Sequence, residues 1–381
     1  METRAEGAAG QQRRSLTLTA LLPAALGLLG PLCSAGRLSW LGPVLALPVG
    51  LWLSLLWREL GREGLPLALE GAFGRRLGRA AQFGYLLWAL VLLCGSAQKY
   101  AHRLERLLPG AEWFFLLSAL MVCLWLSRGR EEIFARTGRL FFLTTAVTLA
   151  FALALAAPGL DWRNLWPPER DDLVGIPYSA LLSLSLAGYG AYALCLPCRE
   201  EGRRRRFGGA VWGCAVLAWL LLTVVGTFGP RLAAELDEPF LMALQGVEVP
   251  GAFRRGEAVL AAALTLADFA LLALLSRSCR SLWERAAPKG WAWGGGYILP
   301  ALAILLAGTL RESGGWRGAE WLPTGNLIFG VVVPALAVLG QKVRRSKSER
   351  PIFSAPKMVG KADVGGKIAN KKSQKENEKK C

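Results

Sequence analysis

The stretch LLSLSLAGYGAYALCLPC, residues 181–198, decides the fold, because it is apolar enough to cross a bilayer and yet is interrupted at its centre. It carries no charged residue. Gly188, Tyr189 and Gly190 lie in its middle, where a membrane helix is expected to be most regular. In lipid, irregular backbone is tolerated only where it is buried in protein or lines a cavity. The stretch therefore predicts a membrane span that is broken near mid-depth.

The rest of the chain has the composition of a multi-span membrane protein. Its 381 residues are 53% hydrophobic and 19% charged, against about 25% charged in soluble domains. A membrane helix needs about 20 apolar residues. Ten such runs are found, and we predict spans at about 15–33, 38–57, 80–98, 111–127, 138–157, 174–198, 207–229, 257–276, 290–310 and 323–341.

The basic residues indicate the topology. Most of the 45 Lys and Arg residues fall in alternate connecting segments, and an excess of basic residues marks the cytoplasmic side. Both termini are then cytoplasmic, which requires an even number of spans. The net charge of +17 is explained by this asymmetry, so nucleic-acid binding is not predicted.

Three regions follow: a cytoplasmic N-terminal segment, a membrane domain and a polar Lys-rich tail, at 1–14, 15–345 and 346–381. The tail has the composition of a disordered segment. It is interpreted as a solvated topology anchor, with contact to anionic lipid headgroups as the alternative.

Span one has an interruption like that of span six. It contains Pro23 and then Gly27, Gly30 and Pro31, residues that permit or force irregular helix geometry. Two interrupted spans that lie five spans apart predict a ten-helix bundle made of two five-helix halves. An odd number of spans per half inverts the second half, which is the inverted-repeat plan of many transporters.

The two breaks predict a ligand site. Free N–H groups at half-helix N-termini suit a carboxylate, and free carbonyls suit an ammonium group or a cation. A zwitterionic amino acid matches both. The alternative is that the glycines simply allow close helix packing. The predicted ligand-binding residues are Gly27, Gly30, Pro31, Ser185, Gly188, Tyr189, Gly190 and Asp268.

Asp268 lies about midway along span eight. A carboxylate there costs about 2.5–3.5 kcal/mol on insertion scales, so it is expected to face the bundle interior. It is either a counter-charge for a ligand, a cation or proton site, or a neutral structural residue. The sequence shows no evident basic partner within the membrane.

Catalytic and metal-binding patterns are not found in the sequence. The only histidine, His102, is interpreted as an interfacial residue, and Cys195 and Cys198 lack the βαβ context of a redox motif. No enzymatic activity, cofactor or metal is predicted.

Several local patterns resemble one family. Residues 35–41, AGRLSWL, are similar to an AGxxxWL element that follows its first span, and residues 161–167, DWRNLWP, are similar to its NLxP connector. Glu132 and Arg136 match its GxExxxR signature, with the glycine displaced. These elements belong to the B subunit of spore germination receptors, in the amino acid–polyamine–organocation transporter superfamily.

Two further elements support the resemblance near the end of the chain. Arg255 and Glu257 fit an FxxRxE element with one residue fewer after the phenylalanine, and the last span carries Asn326 and Pro334. Glu132 and Arg136 can pair on one helix face at (i, i+4). Arg255 and Glu257, two residues apart, point in different directions. We expect a structural or coupling role for all four.

The resemblance implies a LeuT-like inverted-repeat fold and a subunit in the inner membrane of a spore-forming bacterium. It also implies recognition of a nutrient germinant, often an amino acid, and A-type and C-type partner subunits. Two alternatives remain open: an amino acid secondary transporter coupled to Na⁺ or H⁺, and a scaffold subunit whose pocket binds nothing.

Overall fold

The computed structural model describes residues 15, 17–61, 64–108, 110–129, 131–195, 208–245, 256–287, 292–312 and 321–348, and all regular structure within these ranges is helical. The first half contains α1 (Thr17–Leu26), α2 (Leu29–Cys33), α3 (Leu41–Leu60), α4 (Leu65–Phe73), α5 (Arg75–Leu107), α6 (Glu112–Arg128) and α7 (Glu131–Ala156). The second contains α8 (Arg170–Ser185), α9 (Ala187–Ala191), α10 (Gly208–Phe228), α11 (Pro230–Glu235), α12 (Pro239–Gln245), α13 (Gly256–Ala286), α14 (Ala292–Glu312), α15 (Trp321–Leu327) and α16 (Val333–Ser348).

The helices match the predicted spans. Seven helical segments of the described chain are long and apolar enough to cross a membrane. Three shorter apolar helices, Thr17–Leu26, Glu112–Leu126 and Gly296–Thr309, lie where spans one, four and nine are predicted. The all-helical transmembrane fold is thus confirmed. Residues 349–381, most of the predicted tail, lie outside the described residues.

Span three is longer than predicted. The predicted end is residue 98, whereas α5 continues to Leu107. The polar residues after 98 look like a loop in sequence, but their charges have partners on other helices and the helix continues through them. Lys99 and Arg103 therefore belong to a membrane helix and not to an outer connection.

The two predicted breaks are present, and both are milder than expected. In span one the turn at Gly27 and Leu28 separates α1 from α2. In span six Leu186 separates α8 from α9, and a 3-10 turn, Tyr192–Cys195, follows. Leu186 keeps right-handed helical angles. At these points the chain passes from α-helix to a turn or a 3-10 helix, and it does not become extended.

Backbone groups at both breaks are hydrogen-bonded within the chain. The Gly27 N–H donates to the Pro23 carbonyl at 3.0 Å, and the Gly190 N–H donates to the Leu186 carbonyl at 3.3 Å. The expectation of free N–H groups is therefore corrected at these two residues, because local turns satisfy them.

Helix α13 joins two apolar cores. One core contains Leu264 with residues of α2 and α10, and the other contains Leu271 with residues of α5 and α6. Asp268 lies between these two positions on α13. A charge at the boundary of two cores needs a partner that is buried with it.

Span six packs directly on span ten. A Cβ added at Gly188 would lie 2.6 Å from the Asn326 Cβ, and one added at Gly330 would overlap the Gly188 backbone. Gly330 belongs to a π-helical turn, Ile328–Val332. Such turns are rare and are often found at functional sites.

Two connectors between spans turn at glycines with positive φ. Gly36 has a positive φ of 104°, which glycine adopts without strain, and it lies against Asp172. The Arg37 N–H donates to the Asp172 carboxylate at 2.8 Å. After α10, Gly229 with φ 74° turns the chain so that Pro230 can begin α11. Helices α11 and α12 follow, with Asp237 and Glu238 between them.

Candidate functional site

One face of α5 carries three polar side chains that approach other elements of the bundle. Ser96, Lys99 and Arg103 are spaced at i, i+3 and i+7, which places them on one stripe of a helix. We call these three residues the α5 stripe. Each of them meets a different element of the bundle.

Arg103 is the most deeply buried member of the α5 stripe. Its Nη1 donates to Asp268 Oδ2 at 2.6 Å, and its Nε donates to Glu238 Oε1 at 2.8 Å. The side chains of Arg103 and Asp268 are only 4% and 5% exposed, whereas that of Glu238 is 20% exposed. Arg103 therefore joins α5, α13 and the segment before α12 through one guanidinium group.

Lys99 meets the break in span one. Its Nζ donates to the Gly27 carbonyl at 3.2 Å, so an ammonium group already binds the kind of carbonyl that the sequence predicts as a cation or ammonium ligand. The side chain is exposed, and it lies within the field of Arg103, Glu238 and Asp268. Lys99 therefore places a charged group directly beside the break in span one.

Ser96 meets the break in span six. The Tyr189 hydroxyl lies near the Ser96 and Asn326 side chains. Asn326 Oδ1 in turn accepts a hydrogen bond from Trp88 Nε1 at 3.0 Å. The α5 stripe thus lies beside both broken spans: Lys99 is hydrogen-bonded to span one, and Ser96 lies near Tyr189 of span six.

A small cavity lies beside the charged end of the stripe. It has a volume of about 10 Å³, room for about one water molecule. Arg103 and Glu238 line one part of it, and apolar side chains line the rest: Leu26, Leu29, Pro239, Phe240, Leu241 and Leu264. In this conformation the cavity is too small for an amino acid.

The structure places the predicted residues in two groups. Gly27 and Asp268 lie at the charged part of the α5 stripe, through Lys99 and Arg103. Gly188, Tyr189 and Gly190 lie against span ten and span two, and a Cβ at Gly190 would meet the Trp57 ring at 2.8 Å.

The other three predicted residues have structural surroundings. Ser185 is buried and donates to the Leu182 carbonyl at 2.6 Å. Gly30 is buried against the carbonyls of Ala234 and Leu236, and Pro31 is exposed. Their assignment to a ligand remains a prediction.

The predicted coupling residues lie mostly outside what the structure describes. Arg136 is exposed on α7. The backbones of Glu132 and Glu257 are helical, but their side chains, and all of Arg255, lie outside the described residues. Their roles remain predictions.

The sequence interpretation missed the α5 stripe. It ended span three at residue 98, which left Lys99 and Arg103 in the connection after that span, and it found no basic partner for Asp268. This second expectation is wrong, because Arg103 supplies the partner. The i, i+3, i+7 spacing of Ser96, Lys99 and Arg103 was the available signal, and it becomes visible only when span three is extended past residue 98.

Metal ligands of the usual kinds do not cluster in the described ranges, where no three side chains of His, Cys, Asp or Glu lie together as a metal site would require. The polar groups that converge here are charged side chains and a backbone carbonyl.

Comparison with solved structures places the fold. The chain is similar to a Na⁺-coupled sialic acid symporter solved in a substrate-bound, outward-open state, with a TM-score of 0.53. The match has 12% sequence identity and covers 88% of this chain and 79% of the symporter. No protein-family profile and no curated protein matches the sequence. The chain has the all-helical transmembrane fold that was predicted, the LeuT-like inverted-repeat bundle.

Proposed function

We propose that the chain is a nutrient-sensing membrane subunit that binds a small polar solute, an amino acid, between the two broken spans. The observation that carries the proposal is the α5 stripe, since one helix presents an ammonium group, a guanidinium group and a hydroxyl to both breaks. An amino acid needs a cationic and an anionic partner, and Lys99, Arg103 and Asp268 offer them within one cluster. The proposed action is binding and signalling, without catalysis.

The finer assignment is to a B-type subunit of a spore germination receptor. Its support is the set of sequence elements that resemble that family, together with the transporter-like fold. In such a subunit, ligand binding shifts a conformational equilibrium that A-type and C-type subunits respond to. A ligand can do so only if it binds one of the conformations more tightly than the other. The proposed location is the inner membrane of a spore-forming bacterium, with both termini cytoplasmic.

Equilibrium binding to the purified chain in nanodiscs tests the proposal. Radiolabelled L-alanine, L-valine, glucose and inosine are the probes, and the variants are Lys99→Gln and Gln98→Ala. Gln98 is next to Lys99 in sequence and lies off the α5 stripe. We expect an amino acid to bind wild type and Gln98→Ala equally, and Lys99→Gln at least about tenfold more weakly, because about 1.4 kcal/mol is lost with one charged contact.

Two outcomes would contradict the proposal. Equal affinity of Lys99→Gln and wild type would remove the α5 stripe from the site. Absence of binding for every probe would favour the scaffold alternative, in which the pocket binds nothing.

The second candidate function is secondary transport of an amino acid. The observation that favours it is the fold likeness to a symporter over 88% of the chain. Uptake into proteoliposomes separates the two functions. Accumulation of the labelled amino acid that depends on a Na⁺ or H⁺ gradient, by this chain alone, establishes transport. Binding without accumulation supports the sensing subunit.

A further inference from the structure

The segment between α11 and α12 places an acid on the guanidinium group of the α5 stripe. Glu238 immediately precedes α12, which begins at Pro239. Its carboxylate accepts from Arg103 Nε at 2.8 Å. The neighbouring Asp237 pairs with Arg106 one turn further along α5. Two consecutive acids thus attach this connector to α5.

The two carboxylates on Arg103 are not equivalent. Asp268 belongs to the long helix α13 and is 5% exposed, so it is a fixed counter-ion. Glu238 belongs to a connector between two short helices and is 20% exposed. Of the two acids, Glu238 is the one that can leave Arg103 and enter water at a small cost of rearrangement.

The cavity beside this ion pair indicates what can replace Glu238. Its polar lining is Arg103 and Glu238 themselves, and its remaining lining is aliphatic or aromatic. A ligand with a carboxylate at one end and a small aliphatic group at the other matches that lining. Phe240 and Leu241 follow Glu238 in sequence and line the cavity, so departure of the Glu238 side chain frees space beside Arg103 within this lining.

We propose that Glu238 occupies the carboxylate position of the ligand, and that an incoming aliphatic carboxylate displaces it from Arg103. With a carboxylic acid the exchange replaces one carboxylate with another, so the charge beside Arg103 and Asp268 is unchanged. An amino acid also brings an ammonium group, and Asp268 is the acid that remains in the cluster to balance it. No uncompensated buried charge is created. The inference rests on the proposed function and specifies its ligand as a small aliphatic amino acid or carboxylic acid.

The test compares E238Q with D237N as the matched control. Isothermal titration in nanodiscs uses L-valine, L-leucine and isovalerate, with leucinamide as a probe that lacks the carboxylate. If the Glu238 carboxylate is bound to Arg103 at least nine-tenths of the time, its removal lowers the apparent Kd of a ligand that competes for Arg103 by at least about tenfold. We expect that gain for the three carboxylates in E238Q, no gain for leucinamide, and less than about a twofold change in D237N.

A second variant, E238D, keeps the charge and shortens the side chain by one methylene. It is a weaker competitor, and its affinity for L-leucine falls between those of wild type and E238Q. This order remains measurable if E238Q folds poorly.

The failures of the two proposals are distinguishable. If L-leucine binds wild type, E238D and E238Q with the same Kd while Lys99→Gln abolishes binding, the inference about Glu238 is wrong and the proposed function stands. An equal gain for leucinamide also overturns the inference, because the gain then does not depend on a carboxylate. If no probe binds any variant, both proposals fail.

Discussion

Replacement of Arg103 by leucine is predicted to be among the most destabilising single changes in the membrane domain. The change leaves the carboxylate of Asp268, 5% exposed, without the donor that lies 2.6 Å away. Loss of one partner of a buried ion pair costs about 3–5 kcal/mol. The Lys99 charge also acts on Asp268, and Glu238 can rehydrate. We therefore expect about 3 kcal/mol, the lower end of that range.

The measurement is reversible unfolding in mixed micelles with increasing SDS, which gives the free energy of unfolding of each variant. Arg106→Leu is the control, because the pair that Arg106 forms with Asp237 is largely exposed and such pairs contribute about 0–1 kcal/mol. The double variant Arg103→Leu with Asp268→Leu removes both buried charges, and we expect it to be more stable than Arg103→Leu alone. The reasoning is refuted if Arg103→Leu and Arg106→Leu unfold within about 0.5 kcal/mol of each other, or if the double variant shows the sum of the two single losses.

Two further predictions use matched positions and the same unfolding assay. Gly188→Ala is expected to cost about 1–3 kcal/mol, because its Cβ would lie 2.7 Å from the Asn326 Cα. The added Cβ of Gly209→Ala would have no neighbouring atom within 4 Å, so this variant is expected to stabilise its helix by up to about 1 kcal/mol. Equal effects of the two changes would contradict the tight contact between spans six and ten. Asp172→Ala is expected to cost about 1–2 kcal/mol, because its buried carboxylate accepts from the backbone N–H groups of Arg37 and Glu169. The change at the exposed neighbour, Asp171→Ala, is expected to be near neutral, and a similar loss for both variants would show that these hydrogen bonds contribute little.

The fold was predictable because it depends on local composition. Runs of about 20 apolar residues must be helical in a bilayer, and the pattern of basic residues predicts the orientation of each span. Prolines inside the predicted spans do not end the helices: Pro48 lies within α3 and Pro300 within α14, and both helices are continuous. The interruptions at Gly27 and near Gly188 were also visible as clusters of helix-breaking residues.

The site was only partly predictable, because it depends on contacts between segments distant in sequence. Asp268 was recognised from its cost in the membrane, but its partner Arg103 lies 165 residues away. The hydropathy pattern predicts that span three ends before Lys99, because a charged residue whose partner is unknown is assigned to a loop. The extent of helix unwinding at the breaks was overestimated for a related reason. The turn hydrogen bonds that satisfy the N–H groups of Gly27 and Gly190 cannot be predicted from amino-acid composition.

The charged cluster of Lys99, Arg103, Glu238 and Asp268 has a consequence for the response to membrane voltage. The potential acts on net charge, at about 2.3 kcal/mol per elementary charge for each 100 mV. With both acids ionised and both bases protonated, a motion that carries all four side chains together transfers no net charge across the electric field. A motion that leaves Glu238 behind carries one positive charge with the rest. Voltage sensitivity therefore distinguishes a conformational change that keeps the cluster whole from one that divides it.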